Sequence, residues 1–153
     1  GTYTWDSADG VGLGARCNMH TLGHTFIPPG IHAGGLRYHG MSPQVSALVE
    51  GGHVEAQAID QVDTFDGGVM FAKSEGILPA PESNHAVRSA INEALVCKES
   101  GDEKVILFNL SGHGNFDMAA YGQHAAGNLE RYEYPDAEIT AAMADLPEVN
   151  FPG

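Results

Sequence analysis

Lys104-Val105-Ile106-Leu107-Phe108-Asn109-Leu110-Ser111-Gly112-His113-Gly114 is a short, almost wholly apolar run that stops at a Ser-Gly-His-Gly turn. An apolar run bounded in this way reads as a buried strand, and the carboxyl end of such a strand is where α/β proteins place ligands. The other dense group of polar residues bounded by apolar sequence is the Pro-rich loop Glu75-Gly76-Ile77-Leu78-Pro79-Ala80-Pro81-Glu82-Ser83-Asn84-His85. These two turns are expected to lie beside one pocket, with the rest of the chain holding them there.

Outward from this pair, Ser83 is a fair N-cap for a helix through Cys97, with Ala86, Ala90, Ile91, Ala94 and Leu95 as its buried stripe. Ser100 to Glu103 is an exposed turn leading into the central strand Val105 to Leu110. Upstream, Asp60 caps a helix in which Val62, Phe65, Val69 and Ala72 share a face, and Gly76 ends it. Gly67-Gly68 inside that helix costs roughly 1 kcal/mol per glycine, so close packing or a kink is expected there. A short strand is expected from His53 to Ile59. Ser42-Pro43 opens another helix, with Val45, Leu48 and Val49 on one face and Gly51-Gly52 closing it.

Residues 1–30 show little periodicity, and Pro28-Pro29-Gly30 forces an extended turn into Ile31. Gly10, Gly12 and Gly14 do not make the dinucleotide-binding fingerprint, since no strand is read before them and no acid follows at the needed distance; a flexible loop is expected. After Tyr121 the composition shifts to Gly, Ala and acids, with one amphipathic turn from Pro135-Asp136 through Ile139, Met143 and Leu146, then a loose tail from Pro147. The order strand, helix, helix, strand predicts an α/β class, a layered α/β/α structure with a mostly parallel sheet. The expected organisation is a single partial domain over 1–153: a loop-rich opening at 1–30, a core at 31–121 and a loosely packed end at 122–153.

At 153 residues, 42% hydrophobic and 18% charged, the chain has the makeup of one globular domain. Its formal net charge of -13 repels phosphate backbones and anionic lipid, and no basic patch offsets it, so neither nucleic acid nor membrane is expected as a partner. Cys17 and Cys97 have no zinc spacing and read as reduced thiols in a cytoplasmic protein, with a single disulfide left open. The start at Gly1-Thr2, without a methionine, reads as a cloning scar or the cut end of a fragment rather than a natural start.

Five stretches together resemble the C-terminal part of tryptophan synthase beta chains, and most of all the second, longer beta-2 type. They are Thr21-Leu22-Gly23-His24, Pro28-Pro29, Ile31 to Gly40, Glu75 to Ser83 and Lys104 to Gly114, spread over roughly Thr21 to Tyr121. The resemblance implies part of a fold type II pyridoxal-phosphate enzyme domain. It implies that Ser111 faces the pyridine nitrogen of pyridoxal phosphate and that Glu82 lies beside the same ring. Gly112 lets backbone approach the ring edge, His113 lines or covers it, and Gly35, Leu36 and Arg37 form a loop over the substrate side. Arg37 stands where the commoner beta chains have aspartate, as in the beta-2 type. Its guanidinium suits a bidentate grip on a substrate carboxylate, or else a surface salt bridge. A serine hydroxyl can hydrogen-bond a ring nitrogen without protonating it, whereas an aspartate favours the pyridinium and a stronger electron sink. Without the resemblance, Ser111 reads as a cap on the turn and Glu82 as the lead-in to a helix.

A pyridoxal-phosphate enzyme also needs a lysine to bond the cofactor and a cluster of backbone donors for its phosphate. Lys73, Lys98 and Lys104 are the only lysines, and none stands in the family's motif; the glycine-rich phosphate loop is missing as well. The chain therefore reads as roughly the last third of an enzyme that makes tryptophan from indole and serine or an activated serine ester. No catalytic residue is assigned within it, and alone it is expected to be inactive and to bind no cofactor. Its expected partners are the missing N-terminal portion or further copies of itself, with small molecules as substrates. The alternative is a non-catalytic, self-associating α/β module. A metal-dependent hydrolase is the third reading: His20 and His24 are four apart, but no glutamate joins them as in H-E-x-x-H, and no metal site is assigned. Nor does Leu110-Ser111-Gly112-His113-Gly114 make a nucleophile elbow, because Asn109 stands where that motif needs glycine.

Overall fold

Threonine, tyrosine and tryptophan crowd residues 2–5, and a glycine-rich turn follows; the chain answers with a hairpin. In this computed structural model, which describes residues 1–149, β1 (Thr2–Ser7) pairs antiparallel with β2 (Arg16–Thr21), Thr2 opposite Thr21 and Ser7 opposite Arg16. The opening is thus not loop-rich throughout, and Gly10, Gly12 and Gly14 lie in the hairpin turn. Asp9 organises that turn: its Oδ1 accepts from the amides of Val11 at 3.2 Å and Leu13 at 3.1 Å.

Contacts divide the chain into two compact units. Of the described residues, the first holds 1–29, 37–57 and 133–149. Besides the hairpin it contains α1 (Pro43–Glu50), whose buried residue is Ser46; the Ser46 hydroxyl accepts from the His20 amide at 3.1 Å. That polar anchor seats α1 on β2, so Val45 and Leu48 of the expected apolar face remain exposed. Residues 53–57 form no strand. The last helix of this unit, Asp136–Met143, begins where Pro135-Asp136 predicted, and buries Ala142 against Gly23. There Gly23 has a φ of +94°, and a Cβ on it would fall 2.5 Å from the Ala142 carbonyl oxygen, so only glycine fits. Asn150 to Gly153, the end of the tail expected to be loose, lie outside the described residues.

The second unit holds residues 30–36 and 58–132. It contains a short 3₁₀ turn (Gly34–Leu36), α2 (Gln61–Glu75), α3 (Pro81–Ser100) and α4 (Met118–Ala125). Asp60 caps α2 as expected, its carboxylate accepting from the Val62 amide at 2.9 Å, and Gly76 ends the helix at φ +71°. Phe65 is fully buried, edge-on to Tyr121 at 4.9 Å between ring centroids. Val69, Leu78 and Leu129 close over Phe65, Ala120 and Tyr121 to make the core of the unit. Gly67 and Gly68 turn out to be a packing device: they bring α2 onto α3 at Arg88 and Asn84. α3 starts at Pro81, two residues before Ser83, because proline lacks the amide that the first helical position leaves unpaired. In its far half Ala94 and Leu95 are exposed rather than buried.

Val105 to Leu110 is the main departure from expectation. Ile106 and Phe108 are half-buried, Phe108 edge-on to Phe71 at 5.7 Å, while Val105 and Leu107 are 100% and 95% exposed. The alternation is that of an extended segment, yet it pairs with no strand among the described residues and is not itself a strand. Helices and strands together give an α/β structure. The sheet among the described residues is two-stranded and antiparallel, not the mostly parallel one expected. A strand exists only beside a partner, and this segment has none here. No helix of the described residues is long and apolar enough to cross a membrane.

Candidate functional site

The Pro-rich loop and the turn after Leu110 do meet. Pro79 and His113 form an isolated antiparallel bridge: the Ala80 amide donates to the Gly112 carbonyl at 2.9 Å, and the Gly114 amide to the Leu78 carbonyl at 2.7 Å. Gly114 has to be glycine, since a Cβ there would clash with the Pro79 carbonyl and lie 3.0 Å from the Tyr121 ring. Behind the bridge the buried Tyr121 hydroxyl donates to the Pro79 carbonyl at 2.6 Å and accepts from Asn84 Nδ2 at 3.0 Å. Burial pushes the Tyr121 phenol above its ordinary pKa, with the Asn84 hydrogen bond working against it.

On the open side, Ser111 is exposed and its Oγ lies 2.9 Å from Ser83 Oγ. The same Ser83 oxygen accepts from the Gly112 amide at 3.0 Å. Ser83 is therefore a clamp on residues 111–112 rather than the N-cap that its position suggested. Its neighbour Glu82, in the first turn of α3, accepts at Oε1 from the Gly35 amide at 2.9 Å. One turn on, burial lowers the pKa of His85 and Glu82 opposes the shift. Gly112 is screened by Ala80, whose Cβ would be 3.3 Å from a Cβ built on the glycine. His113 is exposed, its Nδ1 accepting from the Asn115 amide at 3.3 Å and its ring centroid 5.5 Å from that of Phe116.

Gly35, Glu82, Ser111, Gly112 and His113 thus belong to the second unit. Arg37 belongs to the first, where it lines a cleft of about 390 Å³ with His24, Phe26, Tyr38 and His39. The lysines are dispersed: Lys73 is in α2, Lys98 in the last turn of α3, and Lys104 is paired with Glu93 at 3.0 Å.

His20 and His24, four positions apart, face different partners. His20 lies in β2 with Nε2 3.2 Å from Glu50, whereas His24 Nδ1 is 2.7 Å from Asp6 Oδ1. Among the described residues no group of three metal-ligating side chains occurs. Asp6 is fully buried and also accepts from Thr21 Oγ1 at 2.6 Å and the Ser7 amide at 2.7 Å. Sequence reasoning missed this network, although the alternation Thr4-Trp5-Asp6-Ser7 before a glycine turn is a hairpin signal. It read Ser83 as a helix cap and missed its contact with Ser111, for which no local signal exists.

The fit to pyridoxal phosphate can be judged from these groups. An exposed hydroxyl backed by a buried one, a glycine edge and a carboxylate held by a backbone amide suit one edge of a flat heteroaromatic ring. They offer neither an amine for its aldehyde nor a nest for its phosphate.

No family model matches the chain. Over 129 residues, 84% of this chain, it is 56% identical to the tryptophan synthase beta chain 2 of Aquifex aeolicus. It is 56% identical over 130 residues, or 85% of the chain, to the protein of that name from Methanosarcina mazei. The tryptophan synthase beta chain of Pyrococcus horikoshii is 53% identical over 133 residues, 87% of the chain. The chain spans only about 30% of the length of these curated relatives.

Proposed function

The chain belongs to the tryptophan synthase beta-chain family, and from that premise we propose that it forms the ring-binding side of a pyridoxal-phosphate lyase that makes L-tryptophan from indole and L-serine. The observation that carries this reading is the clamp on Ser111: a hydroxyl presented at the turn, fixed from behind by Ser83 and beside the anchored Glu82. Pyridoxal phosphate, when bound, supplies an electron sink for bonds broken at the amino acid's α- and β-carbons. In that setting Ser111 holds the ring nitrogen and Gly112 admits the ring edge. Glu82 would lie beside the ring, held by the Gly35 amide, and His113 would serve the substrate side.

The lysine and the phosphate site come from the rest of a family-length protein, so this chain by itself is inactive and takes up no cofactor. The same missing portion completes the sheet: Val105 to Leu110, apolar on both faces, is a strand of a mostly parallel sheet once neighbours pair with it. Mixing the chain with the N-terminal portion of the family is expected to restore the yellow absorbance of bound cofactor and tryptophan formation. The chain alone should show neither, and tryptophan made by the purified chain alone refutes the reading.

A second reading, a non-catalytic self-associating module, is favoured by one observation. Val105, Leu107 and Phe116 are 100%, 95% and 93% exposed, and such surface drives association. Sedimentation as a monodisperse monomer at high concentration argues against it.

A further inference from the structure

Resting on the reading that the cofactor ring lies against Ser111, we propose that Ser83 is a positioning residue that sets the direction of the hydrogen bond Ser111 offers. Ser83 is 1% exposed, in the first turn of α3, and its hydroxyl carries one hydrogen. An amide can only donate, so the Gly112 N–H, 3.0 Å away, occupies a lone pair of Ser83 Oγ. The Ser83 hydrogen then has two oxygens in reach, Ser111 Oγ at 2.9 Å and the Gly112 carbonyl at 3.3 Å. The carbonyl already accepts from the Ala80 amide at 2.9 Å. The nearer and uncommitted acceptor is Ser111.

With Ser83 donating inward, the hydrogen of Ser111 is left for whatever lies outside. A ring nitrogen that receives it is held through its lone pair and stays unprotonated. The reversed relay, Ser111 to Ser83 to the Gly112 carbonyl, would turn lone pairs outward and suit a protonated ring nitrogen. Ser83 therefore selects the weaker electron sink without touching the cofactor. The sequence offers no sign of this, because Ser83 and Ser111 are 28 positions apart.

The test uses the family-length protein with these residues, loaded with cofactor carrying ¹⁵N at the ring nitrogen and followed by NMR as pH is lowered. In the parent protein the resonance should stay at the unprotonated, hydrogen-bonded position. Ser83→Ala should let the nitrogen take up a proton, seen as a large shift on acidification, and Ser83→Thr should restore the parent profile. Identical profiles for Ser83→Ala and the parent overturn the proposal. Should Ser83→Ala fail to fold, Ser83→Cys keeps the volume with a weaker donor: an intermediate profile supports the relay and a parental one overturns it. Ser111→Asp separates the two levels. If it moves the ring resonance, the ring lies at Ser111 and the Ser83 variants decide the present point; if it does not, the reading of the site itself falls, and this proposal with it.

Discussion

Gly68 of α2 faces Asn84 of α3 so closely that a Cβ on the glycine would lie 2.6 Å from Asn84 Cγ and would clash with its Oδ1. The helices cross here because one of them lacks a side chain. At an ordinary helix-interior site alanine is more stable than glycine by about 1 kcal/mol. Gly68→Ala should instead destabilise the protein by roughly 1–3 kcal/mol, the cost of an overpacked contact. Urea denaturation reads the sign directly, and a gain in stability would show that the two helices are not seated this way.

Tyr121→Phe removes a hydroxyl that serves both the Pro79 carbonyl and Asn84. Both groups then lose this partner in a buried place, at about 1–3 kcal/mol for each one left unsatisfied. The bridge between residues 78–80 and 112–114 should loosen first, so faster hydrogen exchange at the Gly112 and Gly114 amides is the measurement to make. Unchanged exchange would mean that the bridge stands without Tyr121.

In the first unit Asp6 ties together Ser7, Thr21 and His24. Asp6→Ala removes the partner of the buried Ser7 amide and of His24 Nδ1 and is expected to cost roughly 1–3 kcal/mol. Thermal unfolding should show the loss. His24→Ala removes just one partner, at the rim, and should cost less. Equal effects would argue that the imidazole and not the carboxylate organises the hairpin.

Burial holds the His85 imidazole below its usual pKa of 6.5. Between the folded and the unfolded values the unfolded chain binds more protons, so stability rises with pH through that window. The contribution is complete above about 6.5 and is lost as pH falls below it. His85→Gln should flatten this slope in denaturant midpoints measured across the window. A slope that persists undiminished assigns it to another group.

Leu107→Glu places a charge on the exposed apolar face of residues 105–110. It should leave the folding of the isolated chain within about 0.5 kcal/mol, as for other surface changes. It should lower self-association in sedimentation equilibrium, and it should block complementation by the N-terminal portion. Loss of complementation with no change in self-association would separate the two surfaces.

Much of the second unit is legible locally. Asp60 and Gly76 mark the ends of α2 because a cap and a left-handed glycine act within a few residues of themselves. The phase of Val62, Phe65 and Val69 gives its inner face in the same way, and the Gly67-Gly68 pair announces a close approach without naming what approaches. Ser83 and Ala94 read wrongly for the opposite reason. A hydroxyl early in a helix suits a cap equally well as a distant partner, and a stripe of small apolar residues does not say how much of it finds cover.

What the sequence by itself determined was therefore local: the ends of α2 as marked by Asp60 and Gly76, those of α3 to within three residues, the meeting of two turns, and the family. Only the tertiary structure decided that Ser83 stands behind Ser111, that Asp6 engages His24, and that residues 105–110 have no strand partner among the described residues. Caps and periodicity are settled by atoms a few bonds away, whereas a hydrogen-bond partner or a neighbouring strand is supplied by whichever segment returns to that place.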